Sequence, residues 1–95
     1  MLFVRRLVWD SWNVAHIARH QVTPDEVEEV CHGAPMTSAT YKGRTRVVGI
    51  TQSGRVLTVI LAPEDDQGTY YPVTARPADR KEQRTYELQK RGKSS

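Results

Sequence analysis

Ninety-five residues suffice for one hydrophobic core and leave no room for a second, so a single domain over residues 1–90 with a flexible basic tail at 91–95 is expected. Fourteen Lys and Arg against eleven Asp and Glu give a net charge of +3, and 38% hydrophobic with 26% charged residues is a globular balance, not a disordered one. Cys31 is the single cysteine, which excludes an intrachain disulfide and a thiolate metal cage and leaves a buried, inert thiol as its expected state.

The opening stretch carries Arg5 and Arg6 inside a short apolar run, so it fits neither a secretion signal nor a membrane span, and a cytoplasmic protein is expected. Residues 2–9 read instead as a first strand. Asp10 is placed to accept from the free backbone donors of a helix over 11–20. Val14, Ile17 and Ala18 form the apolar side of that helix. At 100° per residue, Asn13, His16 and His20 fall within about 60° of one another on the adjoining side. Thr23, Pro24 and Glu26 spell a capping box with proline in the first turn. The helix they open runs to about Cys31, stops near Gly33 and Pro35, buries Val27 and Val30, and turns an acidic face outward.

Beyond Pro35 the period changes to two. Strands are expected over 37–41, 44–51, 55–62 and 69–76, the second and third joined at Gln52-Ser53-Gly54, where glycine supplies a positive φ. The near-continuous apolar run from Val56 to Leu61 marks a central strand, and Pro72, which cannot donate to a ladder, marks the last strand as an edge at that point. A final helix over 78–90 has only a weak apolar stripe in Ala78, Thr85, Tyr86 and Leu88, so it should dock loosely. The whole reads β-α-α-β-β-β(-β)-α, an α+β domain with an antiparallel sheet packed by helices.

The charge is segregated. Residues 76–95 hold seven basic side chains (Arg76, Arg80, Lys81, Arg84, Lys90, Arg91, Lys93) against three acidic ones, whereas Asp25, Glu26, Glu28 and Glu29 cluster on the second helix and Glu64, Asp65 and Asp66 in a later turn. One reading is a face for an anionic polymer; the plain one is a solvated helix with a frayed basic end.

Metal-free cleavage of a phosphodiester needs a proton-transfer group near neutrality and a fixed cation for the developing charge. His16 and His20 on one helix face can serve as the first, and Arg76, held between a strand end and a helix, as the second. Each has a plainer alternative. The rings can pack at the helix–sheet boundary, and a zinc site lacks a third ligand nearby. Arg76 can pair with Glu82, and both roles can hold together, since a carboxylate can orient a guanidinium. Arg44 and Arg46, two residues apart, share a strand face and point either along one phosphate path or into solvent. Tyr86 reads first as a core anchor and second as a ring for a base; Trp9 and Trp12 read first as packing residues, with base stacking the lesser alternative.

Two motifs carry a family resemblance. Ala75-Arg76-x-Ala78-x-x-x-Glu82-x-x-x-Tyr86 resembles the closing Ser-Ala-Arg motif, and the helix after it, of the BrnT family of type II toxins. His20-x-Val22-Thr23-Pro24-Asp25-Glu26-Val27 is similar to that family's Lys-His-Gly-Val junction, with Gly49 and the Ser53-Gly54-Arg55 turn in register between the two. The likeness spans nearly all of the chain, from Trp9 to Tyr86. Arg19 stands where many members have lysine, Gln21 where many have glycine, and His16 where many have asparagine.

The resemblance implies a RelE-like fold and a metal-independent RNA endonuclease without cofactor. It also implies inhibition by a cognate antitoxin, usually a ribbon-helix-helix protein, with operator DNA bound only through the complex. In that frame the 2′-hydroxyl attacks the adjacent phosphorus, leaving a cyclic phosphate and a 5′-hydroxyl. His20 or His16 acts as base or acid, while Arg76 with Arg46 or Arg44 neutralises the charge. Arg19, Arg80, Arg84 and Tyr86 would contact the RNA. The rival reading is a toxin-like binding module that has lost catalysis, holds the antitoxin, and helps grip operator DNA through its basic last helix. The catalytic reading requires the imidazoles of the first helix and the guanidinium of Arg76 to converge on one pocket.

Overall fold

The computed structural model describes residues 4–94, with side chains through Arg91, so residues 2 and 3 of the expected first strand and residue 95 of the expected tail lie outside it. Strand β1 is Arg6–Leu7, followed by α1 (Ser11–Ala18) and α2 (Pro24–His32). Strands β2 (Met36–Ala39), β3 (Thr45–Ile50), β4 (Val56–Pro63) and β5 (Thr69–Pro77) come next, and α3 (Arg80–Ser94) closes the chain. The fold is α+β. Among the described residues no helix is long and apolar enough to cross a membrane.

Local chemistry accounts for the helix ends. Asp10 accepts from the Asn13 amide at 2.9 Å while the Asn13 side chain accepts from the Asp10 amide at 2.9 Å, a reciprocal cap. Asn13 is also fully buried, its side-chain nitrogen donating to Val8 O and Pro72 O, so it is a structural bolt and not part of a reactive stripe. Helix α1 stops at Ala18, two residues before the expected end. The Gln21 amide donates to Ala18 O and the Val22 amide to Ile17 O, with Gln21 at φ 61: the closure that usually uses glycine. Thr23 and Glu26 cap α2 reciprocally, as their spacing indicated.

The sheet order is β1-β5-β4-β3-β2. Strands β2 to β5 are antiparallel neighbours, but β1 runs parallel to β5, so the expectation of a purely antiparallel sheet is corrected to a mixed one. Strand direction there follows from the crossover through both helices, which no local residue pattern encodes. Leu61 pairs with Pro72 and Ile60 with Thr74, leaving Val73 as an extra residue; Pro72 thus sits at a bulge, past the last β1 bond from Val8 N to Tyr70 O.

Successive strand residues face opposite ways, and each face of the sheet has its own cover. Ile17 and Val22 from α1 and its turn, with Val27 and Val30 from α2, pack on Val47, Leu57, Val59, Leu61 and Ala75. On the other face Tyr86 of α3 packs with Val48 and Ala78. Helix α3 is anchored by little else: Leu88 is 60% exposed and Thr85 is exposed, contrary to their expected place in its stripe, and the helix continues past residue 90 to Ser94. Val14 and Trp12, expected to pack, are also exposed, whereas Trp9 packs on the core and donates to Glu28 at 2.9 Å. The acidic face of α2 is less open than its sequence suggested. Glu26 holds Arg55 Nη1 between its two oxygens at 3.0 and 2.8 Å, Glu28 meets His32 and Trp9, and Glu29 accepts from the Gln52 amide.

Candidate functional site

On the face covered by α3, side chains line up in register rows. Met36, Val48, Thr58 and Arg76 form one row, and Ser38, Arg46, Ile60 and Thr74 the next, about 6–7 Å along the strands. Arg44 is extended (φ −88, ψ 163) just before β3, so it continues the alternation and faces the same way as Arg46. Helix α3 covers the Val48 end; Arg44, Arg46, Ile60, Thr74 and Arg76 are only half-buried. An open groove of about 490 Å³ lies between this surface and α3, lined among others by Met36, Ser38, Arg46, Val48, Glu82 and Thr85.

Glu82 organises the surface. Its two oxygens take the Arg76 guanidinium at 2.8 and 3.0 Å, and Oε1 also accepts from the Thr58 hydroxyl at 2.9 Å and the Asp79 amide at 2.9 Å. The Asp79 carboxylate accepts from the Glu82 amide at 2.8 Å, completing a cap for α3. Arg46 Nη1 stands 3.8 Å from Glu82 Oε2, and its Nε donates to Ser38 at 3.4 Å. Burial pushes the Glu82 carboxyl upward, but the donors outweigh it, Arg76 foremost, and hold it at about 2. The same hydrogen bond pushes the Arg76 guanidinium above its ordinary value. A carboxylate held so low is a permanent acceptor that fixes Arg76, not a base for chemistry near neutrality.

The histidines lie elsewhere. Because α1 and α2 cover the opposite face of the sheet, His16 and His20 do not meet Arg76, and the expected single pocket is not formed. His16 stacks on Trp12 with centroids 4.9 Å apart and planes 7° from parallel; His20 follows in the turn, edge-on to His16 at 6.1 Å. His32 pairs with Glu28 at 2.9 Å at the end of α2. Among the described residues no group of three or more His, Cys, Asp or Glu side chains is arranged to hold a metal ion. Cys31 is buried, and that burial, with Glu28 nearby, pushes its thiol up to about 12, so it carries no nucleophile at neutral pH.

Of the other candidates, Arg19 is exposed at the end of α1, again on the far face. Arg80 and Arg84 are exposed on α3; by helix geometry Arg80 points about 160° away from Glu82 and about 120° from Tyr86, and Arg84 about 160° from both, out of the groove. Tyr86 is 4% exposed, so its assignment to substrate contact is corrected: the ring is a core anchor, with Lys90 over it at 5.4 Å. The site therefore gathers Arg44, Arg46 and Arg76 and leaves His16, His20, Arg19, Arg80, Arg84 and Tyr86 out. Thr58 and Ser38 were missed, because only the strand register shows them beside the arginines. Glu82 was visible as a partner for Arg76; its spacing from Asp79 also signals the cap that makes it rigid.

The chain matches no model of a known protein family, and no curated protein matches it.

Proposed function

We propose that this chain is a type II toxin of the BrnT kind, RelE-like in fold, that cleaves RNA without a metal ion and is held inactive by a cognate antitoxin of the ribbon-helix-helix type. The observation that supports this most is the half-open sheet face where Arg44, Arg46 and Arg76 lie in neighbouring rows, with Glu82 fixing Arg76. Such a face suits a chain of phosphates. In the proposed reaction the 2′-oxygen attacks the adjacent phosphorus as the bond to the 5′-oxygen breaks. The 2′ proton goes to water, and the leaving oxygen takes a proton from water. Arg46 and Arg76 stabilise the charge on the phosphorane oxygens, where losing one donor costs about a hundredfold in rate. The histidines have no part in it.

A second reading has one observation in its favour. Glu82 is saturated by its donors, and no histidine lies on the arginine face among the described residues, so the surface offers no group tuned for proton transfer. That arrangement suits a binding module which grips an antitoxin or a nucleic acid without cutting it.

Purified protein incubated with RNA in chelator separates the two. The toxin reading expects fragments ending in cyclic phosphate, cleavage by Arg46→Ala slowed by about a hundredfold, and, with RNA saturated by excess protein, an undiminished single-turnover cleavage rate in the His16→Ala/His20→Ala variant. Intact RNA at high concentrations of folded protein supports the binding module. Cleavage lost in the histidine variant but kept in Arg46→Ala would remove the site assignment. Copurification with the product of an adjacent small reading frame tests the antitoxin.

A further inference from the structure

We propose that the outer face of α1 is a stacking platform for the bases of single-stranded RNA, separate from the arginine face. The proposal rests on the RNA reading for the class of ligand and adds a second contact to it. Trp12 is 56% exposed. Its ring is already ordered: His16 lies parallel to it at 4.9 Å, and His20 closes the row edge-on to His16. These are positions i, i+4 and i+8, so three rings run along one side of the helix and into its closing turn. Arg19, seven residues after Trp12, returns to within about 20° of it on the helix and is also exposed.

The chemistry around the rings selects the ligand. Residues 11–20 contain no carboxylate. The nearest acid in sequence, Asp10, is engaged by the Asn13 amide and the Tyr71 hydroxyl. A flat aromatic surface with a guanidinium beside it and no anion on the helix is what an unpaired base with its phosphate requires. A protein partner would need an apolar stripe, and Trp12 does not belong to one. The exposed Val14 is two residues on, about 160° away, and the neighbours of Trp12 on its own side are His16, Ala15 and Arg19.

The test uses a fluorescein-labelled 12-mer of deoxyuridine, which lacks the 2′-hydroxyl and so reports binding whether or not the protein cleaves RNA. Anisotropy titrations compare the full chain with Trp12→Ala and Trp12→Phe, each also in an Arg44→Ala/Arg46→Ala background that weakens the other face. The expected result is an affinity loss of about tenfold for Trp12→Ala in both backgrounds, the scale of losing one stacked base, with most of the affinity kept by Trp12→Phe. Circular dichroism and thermal melting confirm that the variants fold. Affinity within twofold of the parent in Trp12→Ala, in both backgrounds, overturns the platform. So does unchanged affinity accompanied by loss of self-association or of a copurifying protein, which would make this face a protein-docking surface. Failure of RNA cleavage with the Trp12 effect intact would sink the nuclease reading and leave the platform standing.

Discussion

Gln21 carries backbone strain that its side chain does not relieve. It sits at φ 61, where an L residue is disfavoured by about 1–2 kcal/mol, because the turn that ends α1 needs a left-handed residue to bring Val22 back over Ile17. Glycine would remove that strain at the cost of roughly 0.5–1 kcal/mol of unfolded-state entropy. Gln21→Gly is therefore expected to raise stability by about 0.5–1 kcal/mol, seen as a higher urea midpoint at unchanged slope. Equal or lower stability would mean that the Gln21 side chain holds the turn in some other way. The sequence marked this position only as a departure from a family motif. Asn13 is the converse case: helical spacing put it with two histidines, while its burial and four hydrogen bonds make it part of the scaffold.

At the level of elements, the approach of α2 to the sheet depends on a missing side chain. A Cβ on Gly49 would lie 3.0 Å from Val30 Cγ1 and 3.2 Å from Pro35 Cβ, tight enough that both neighbours would have to give way by a few tenths of an ångström. Gly49→Ala should destabilise by about 1–3 kcal/mol, as overpacking does. The loss should shrink when Val30→Ala opens space for it, and a double-mutant cycle from denaturant melts measures that coupling. Strict additivity would show that α2 shifts freely. The elements themselves were largely legible: reciprocal caps announce α1 and α2, alternation announces β3 to β5, and Gly54 takes the expected positive φ (95) in the β3–β4 turn. Their outer contacts were not, since hydropathy alone does not say which apolar side chains stay in water. Trp12, Val14 and Leu88 did.

In the whole molecule, α3 is held to the sheet by one apolar anchor and one polar hub. Glu82 has an ordinary value of 4.5 and is held at about 2 in the fold. A carboxyl depressed on folding stabilises the protein above its unfolded value, so this contribution is complete above about pH 5 and disappears as pH falls through 2. The shift corresponds to roughly 3 kcal/mol at neutral pH. Glu82→Gln should therefore be less stable than wild type by about 2–3 kcal/mol at pH 7, the two converging near pH 2, as read from denaturant melts across that range. A pH-independent gap would mean that Glu82 acts through packing instead of charge. The same hub orders Arg76, so under the proposed RNA reading Glu82→Gln should also weaken RNA binding.

What the sequence by itself determined are the properties written in neighbouring residues: the caps, the alternating strands, the turn glycine and the α+β class, with Glu82 as a candidate partner for Arg76. These follow from hydrogen bonds and periodicities that span a few positions. The side of the sheet on which each candidate lies was decided only by the tertiary structure. A strand offers two faces, and which helix covers which depends on crossovers and register between segments far apart in the chain. That choice brought Arg46 and Arg76 together around Glu82, set Arg44 on the same face, and carried His16 and His20 to the opposite surface.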